Sequence, residues 1–223
     1  HPSAMNLPES YPDYFGDDAA SPPGFRSTLA QPTPLPDLAE AADEPTREDT
    51  FEQHWLHTLA HVLTEEIQEL YSAEKMLLDA LPAMTEACND PVLRATCEIH
   101  LDITRGHLQR IEAVHQMLGQ VPDGRVNLSM EGLLVGLRET IDENRSGRSR
   151  DVALIGAARK IKHLETAAYC SARDFAQLLG LLPVADTLQK TLDEETRMEA
   201  KFANLDELMA SRLWRAGTIT QSS

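Results

Sequence analysis

Residues 59–88 read LAHVLTEEIQELYSAEKMLLDALPAMTEAC, and the spacing of their apolar side chains predicts one long amphipathic helix. Positions that alternate three and four residues apart form one inward stripe with a single charged member, Glu74. Burying an unpaired carboxylate costs several kcal/mol, so this glutamate needs a partner. The apolar members of the stripe are Leu59, Leu63, Ile67, Leu70, Leu77, Leu81, Met84 and Cys88.

Helical periodicity continues through the rest of the chain, with glycine and proline as punctuation. Gly119 and Gly180 stand where glycines end helices, and Pro91 and Pro183 stand where prolines begin them. Pro82 lies inside the first helix and is predicted to kink it. The sequence carries no strand pattern. We predict four long helices and a short one, over residues 50–88, 90–118, 129–145, 151–179 and 183–212.

The connection over residues 119–150 is far longer than the roughly two to eight residues that join antiparallel neighbours in a bundle. A crossover along the bundle, with the short helix inside it, accounts for that length. We therefore predict an all-α, ferritin-like four-helix bundle of two antiparallel hairpins over residues 50–212, followed by a C-terminal tail over 213–223.

Residues 1–49 differ from the rest in composition. They hold most of the chain's 13 prolines, and their acidic side chains are opposed only by Arg26 and Arg47. Such a segment cannot bury enough apolar surface to offset its ordering entropy, so a disordered, proline-rich acidic tail is predicted. Its short aromatic run at 11–15 is a candidate docking segment for a protein partner, and a merely solvated tail is the alternative.

The overall charge excludes several functions. The chain has 36 acidic and 20 basic residues, a formal net charge of −16, which repels nucleic acids and anionic membranes. No apolar stretch is long enough for a membrane span. The three cysteines lack a CxxC spacing and predict neither a disulfide framework nor a zinc knuckle, so we expect a reducing cytoplasm.

Polar side chains interrupt the inward stripes of all four long helices. If the hairpin turns lie near residues 89 and 181, these side chains share one layer at mid-height of the bundle. Carboxylates buried together require cations, and carboxylates with imidazoles suit iron or manganese. A metal-free network, neutralised by Lys162 and a protonated histidine, is the alternative. The six candidate metal ligands are Glu74, His100, His107, Glu165, Glu195 and Glu199.

Four segments resemble the core motifs of the ferritin-like YciE/YciF-type stress proteins. The resemblance covers about residues 55–210 and implies a dimeric four-helix bundle with a dinuclear-type metal site and a stress-associated role. It places the family's ligands on the glutamates just named and on the stretch from His100 to His107. The segments are LYSAEKMLLDALPAM (70–84), HLDITRGHLQRIE (100–112), AARKIKHLETAAY (157–169) and TLDEETRMEAK (191–201).

This chain departs from the family pattern at two positions. Lys162 and Ile103 stand where relatives usually have glutamate. The first change replaces a potential bridging anion with a cation inside the polar layer. A mononuclear site, a weakened site and a vestigial site therefore all stay open.

Two functions follow from these patterns. The first is a metalloprotein that binds iron or manganese and handles peroxide or dioxygen. In it Tyr169 would donate an electron or a hydrogen bond to a metal-binding group, and a tyrosine that only packs its ring and hydrogen-bonds a carboxylate is the alternative. The second is a metal-free, non-enzymatic stress or interaction protein whose polar core fixes helix register. In either case we expect a homodimer, with Phe51 and Trp55 suited to covering the partner subunit, whereas His54, His57 and His61 form a solvated face.

Overall fold

The computed structural model describes the backbone of residues 47–143 and 147–220 and the side chains of 53–143 and 147–211. Within those ranges the chain is entirely helical apart from its connections, which confirms the all-α prediction. No helix there is long and apolar enough to cross a membrane. The helices are α1 (Arg47–Ala87), α2 (Pro91–Met117), α3 (Leu128–Asp142), α4 (Arg148–Leu178) and α5 (Leu182–Thr220).

The glycine and proline signals mark the helix ends as predicted. Asp90 caps α2, its carboxylate accepting the backbone N–H groups of Val92 and Leu93, and Pro91 takes the first helical position. Gly119 and Gly180 follow α2 and α4 with φ angles of 67° and 70°, a conformation that strains any residue with a side chain.

Four predicted helix ends are wrong by three residues or more. Helix α3 ends at Asp142 rather than 145, and α4 begins at Arg148 rather than 151. Helix α1 begins at Arg47, inside the predicted tail, and α5 runs to Thr220 rather than ending at 212. Residues beyond 205 are mostly good helix formers without proline, so nothing stops the backbone hydrogen bonding at 212. Pro82 lies inside α1, and its kink stays a prediction. The tail prediction for residues 1–46 lies outside the described residues.

The helices form two antiparallel hairpins, α1 with α2 and α4 with α5. The hairpins meet where α1 packs on α4 and α2 packs on α5, and α3 covers the groove between α1 and α4. Asp151, in the first turn of α4, accepts the backbone N–H groups of Asn89 and Asp90 at 2.8 and 3.0 Å. This contact fastens the α1–α2 turn to the second hairpin. The predicted crossover arrangement, with α3 inside it, is confirmed.

The core has two apolar halves. One half packs around Leu77, Leu81 and Phe202, and the other packs around Ile67 and Ile111. The predicted stripe of α1 is buried from Leu63 to Cys88, including Glu74. The residues between the two halves are polar, so a buried polar layer crosses the bundle at mid-height.

Two surface features of α1 bear on the remaining predictions. The side chain of Trp55 is 46% exposed, whereas that of Phe51 lies outside the described residues. His54, His57 and His61 are exposed, as expected for a solvated face. The homodimer and the partner of the acidic tail stay predictions.

Candidate metal centre

The polar layer between the two apolar halves is built from all four long helices. Helix α1 contributes one carboxylate, α2 contributes two histidines and a threonine, and α4 and α5 contribute the remaining charged groups. Each of these side chains is 1% exposed or less, so the layer is shielded from water. Its members are Glu74, His100, Thr104, His107, Lys162, Glu165 and Glu195.

Three residues of this layer converge on one point. Glu74, His107 and Glu195 each offer a ligand atom, and these atoms all lie within 4.8 Å of one another. The Nδ1 atom of His107 is 2.8 Å from Glu195 Oε1 and 3.4 Å from Glu74 Oε1. Two carboxylates and one imidazole are ligands that iron and manganese accept in helical bundles. We call these three residues the ligand cluster.

Neighbouring groups orient the ligand cluster from outside. The hydroxyl of Tyr169 donates a hydrogen bond to Glu74 Oε1 at 2.6 Å.

Within the described part of the chain, no hydrogen-bond partner reaches Glu74 Oε2, although the atom is buried. A buried carboxylate oxygen without a partner is costly, and a bound cation would supply one. The donor set and this oxygen both fit a metal ion.

A second carboxylate holds the imidazole from behind. The Nε2 atom of His107 is 3.1 Å from Glu194 Oε2, and Arg110 pairs with the same carboxylate while donating to Thr191 at 2.9 Å. A carboxylate behind a metal-binding histidine fixes the ring orientation and makes the other nitrogen more basic. Sequence reasoning missed Glu194, because its only signal was its position next to Glu195.

The two carboxylates of the ligand cluster keep His107 protonated when no metal is bound. Burial alone would lower the pKa of His107, but the carboxylates of Glu195 and Glu74, 2.8 and 3.4 Å from Nδ1, outweigh burial and raise the pKa to about 10. Burial favours the neutral form of Glu195 as well, yet Lys162 and His107 lower its pKa to about 2. The two groups therefore form a buried ion pair.

Lys162 forms the other half of the layer. Its Nζ atom lies 2.6 Å from Glu195 Oε2 and 2.5 Å from Glu165 Oε2, and its side chain is fully buried. Burial acts to lower the pKa of Lys162, but Glu165 and Glu195 raise it above its usual value. The amine is therefore an ammonium ion. Glu165 contacts this ammonium rather than the ligand cluster.

His100 is buried in the same layer but outside the ligand cluster. Its ring meets that of Phe202 edge-on at a centroid distance of 5.8 Å, and neither ring nitrogen has a hydrogen-bond partner within the described residues. Burial, followed by the charge of Lys162, lowers the pKa of His100 well below its usual value. The imidazole is neutral and its lone pair is unused.

Glu199 is not brought into the layer, and its predicted inward position is corrected. Its side chain is 21% exposed, with Oε1 3.1 Å from Arg159 Nε. The inward stripe of α5 steps three residues from Glu195 to Met198, which is 1% exposed, rather than four residues to Glu199. Both spacings fit a helical stripe, so the sequence pattern alone did not distinguish them.

Comparison with known proteins assigns the family. The model of a domain of unknown function, DUF892, matches residues 58–213. The chain belongs to the DUF892 family. Protein YciF of Escherichia coli strain K12 is 32% identical over 151 residues, which cover 67% of this chain and 91% of YciF. The YciE/YciF-type resemblance is thereby confirmed.

Solved structures agree with the DUF892 assignment. The crystal structure of the E. coli stress protein YciF superposes with a TM-score of 0.67 and 30% identity, over 69% of this chain and 97% of YciF. YcfI from Rhodopseudomonas palustris superposes with a TM-score of 0.64 and 28% identity, over 65% of this chain and 92% of YcfI. The DUF892 match covers α2, α3 and α4 in full and most of α1 and α5, and it leaves out residues 1–57 and 214–223.

Proposed function

We propose that this DUF892 protein binds a redox-active transition metal, iron or manganese, through Glu74, His107 and Glu195. The observation that carries the proposal is the convergence of three buried ligand atoms, from three helices, within 4.8 Å of one another. Two carboxylates so close together repel each other strongly where water is excluded. A divalent cation between them turns that repulsion into attraction.

The residues of the layer have separate tasks in this proposal. Glu74 and Glu195 supply carboxylate oxygens, and His107 supplies Nδ1 after losing its proton. Glu194 retains the proton on His107 Nε2, at 3.1 Å, and thereby fixes the ring. Tyr169 holds Glu74 in place by its 2.6 Å hydrogen bond. An iron or manganese ion held by these residues would supply redox chemistry, one electron for each ion oxidised from the divalent to the trivalent state, and reduction of peroxide or dioxygen to water would take its remaining electrons from an external one-electron donor.

The burial of the layer limits what can react there. Because its side chains are at most 1% exposed, only a reactant of a few atoms fits the site without opening the bundle. Peroxide and dioxygen are of that size. The E. coli relative is described as a stress protein, and we extend a stress role in the cytoplasm to this chain. We further propose a homodimer, supported by the exposed Trp55 and Leu56 on α1.

A metal-free role is the second candidate, and one observation favours it. Lys162 pairs with both Glu195 and Glu165 at 2.6 and 2.5 Å, and protonated His107 pairs with Glu195 at 2.8 Å. Such a network fixes helix register without metal. The protein would then be a non-enzymatic stress or interaction protein.

Metal content separates the two candidates. The full chain, purified without chelator or an immobilised-metal column, is analysed by plasma mass spectrometry before and after anaerobic Fe(II) loading. We expect bound metal in the wild type and in Glu199→Gln, a matched control outside the layer, and its loss in Glu74→Gln and Glu195→Gln. Circular dichroism verifies that each variant is folded.

Two outcomes would reject metal binding at the ligand cluster. The first is less than about 0.2 equivalents of transition metal in the loaded wild type, since a structured site should fill under excess metal. The second is equal metal content in the wild type and in folded Glu195→Gln. If metal binds, adding peroxide to the ferrous protein should produce ferric absorbance, and its absence would reject the redox role alone.

A further inference from the structure

Glu195 joins the ligand cluster to a buried cation. Its Oε1 lies 2.8 Å from His107 Nδ1, and its Oε2 lies 2.6 Å from Lys162 Nζ. One carboxylate therefore faces the candidate metal position on one side and an ammonium on the other. Helical bundles that hold metal pairs use glutamates to bridge the two cations in this way.

The surroundings of the ammonium are those of a cation site. Lys162 Nζ contacts Glu195 at 2.6 Å and Glu165 at 2.5 Å, one shared and one terminal carboxylate. His100 lies buried in the same layer with neither ring nitrogen hydrogen-bonded to a described residue. The two carboxylates would serve as ligands if a metal ion replaced the ammonium.

We propose that the Lys162 ammonium takes the place of a second metal ion, so that the centre holds one divalent cation instead of two. The inference rests on the proposed function, because it concerns the number of ions at the same site. Two independent physical reasons support it, the space that the ammonium fills and the charge that it carries.

The ammonium fills the position of a second ion. A metal ion bound to Glu165 Oε2 and Glu195 Oε2 would stand about 2.0–2.2 Å from each oxygen. Lys162 Nζ lies 2.5 and 2.6 Å from the same two oxygens. An ion that used both oxygens would overlap the nitrogen atom, so the lysine side chain would have to leave the core.

The charge of the layer also balances with one ion. Burial raises the pKa of Glu165, so the three buried carboxylates, Glu74, Glu165 and Glu195, carry at most −3, and Lys162 carries +1. One divalent cation beside neutral histidines brings the total to zero. A second ion would leave a charge of +2 with Lys162 in place, or +1 if the lysine left the core, and an unpaired buried charge is strongly unfavourable in a layer without water.

Counting bound Mn(II) ions tests the inference. Metal-free full-length protein is titrated with Mn(II), and the equivalents bound are measured by equilibrium dialysis and by the electron paramagnetic resonance spectrum. Lys162→Glu removes the ammonium and makes the layer charge −4, which two divalent ions neutralise. Lys160→Glu is the control, because it makes the same charge change at an exposed position of α4.

The wild type and Lys160→Glu should bind one Mn(II) ion with the spectrum of an isolated ion. Lys162→Glu should bind two, with a spectrum broadened by coupling between the ions. Should that variant fail to fold, Lys162→Asp, which sets the same charge with a shorter side chain, carries the test and should also gain a second ion. Two ions in the wild type, or one ion in a folded Lys162 variant, would overturn the inference alone. No Mn(II) in any protein would overturn the proposed function and the inference with it.

Discussion

Removing the proton of His107 by raising the pH should destabilise the metal-free protein. The folded-state pKa of about 10 lies above the usual value of 6.5, so the protonated form stabilises the folded chain. This contribution is complete below pH 6.5 and is lost as the pH rises to about 10. At ~1.4 kcal/mol per pH unit, it amounts to at most about 5 kcal/mol. Domains of this size are stable by only about 5–15 kcal/mol, so the loss should be large.

Guanidinium denaturation of chelator-treated protein, followed by circular dichroism at pH 6, 8 and 9.5, measures this loss. His107→Gln has no proton to lose and should show a flatter dependence on pH. His163→Gln is the control, because its side chain is 65% exposed and should leave the wild-type dependence unchanged. Equal losses in the wild type and in His107→Gln, or a wild type that becomes more stable toward pH 9.5, would refute the buried ion pair.

Two further predictions concern the same cluster. Binding of Mn(II) at pH 7 should release about one proton, because His107 must lose its proton to become a ligand, and the affinity for Mn(II) should therefore rise with pH. Calorimetry in two buffers of different ionisation enthalpy measures the number of protons released. A number near zero would contradict the prediction. Tyr169→Phe removes the 2.6 Å hydrogen bond to Glu74 and should lower the unfolding free energy by about 1–3 kcal/mol. Chemical denaturation of that variant tests this, with Tyr71→Phe as control, and an unchanged midpoint would disprove a role for the hydroxyl.

The sequence was sufficient for the architecture because its signals are local. The apolar stripe of α1 and the glycines and prolines at helix ends each act within a few residues, and they placed the helices to within a few positions. Gly119 and Gly180 adopt the left-handed conformation expected of such positions. The end of α5 was misplaced because no residue near 212 stops a helix. A helix without a stop signal ends where packing ends, which the local pattern does not show.

The candidate site was only partly predictable, since it depends on contacts between helices. Matching heights along the first hairpin predicted that Glu74 faces residue 104, midway between His100 and His107, whereas in the structure its Oε1 lies 3.4 Å from His107 Nδ1. The stripe of α5 was ambiguous between Met198 and Glu199, and only packing against α4 decides it. Lys162 and Glu165 are three residues apart on α4, but the pairing of Lys162 with Glu195 depends on the distance between α4 and α5. A helical repeat gives the direction of each side chain but no distance across the bundle.

The central claim is that Glu74, His107 and Glu195 bind a transition metal. Anomalous diffraction from a crystal of the Mn(II)-loaded protein, collected on both sides of the manganese absorption edge, tests it most directly. The account predicts one anomalous peak between these three side chains, with Lys162 still beside Glu195. A polar layer without a peak, or a peak only at the exposed histidines 54, 57 and 61, would contradict it.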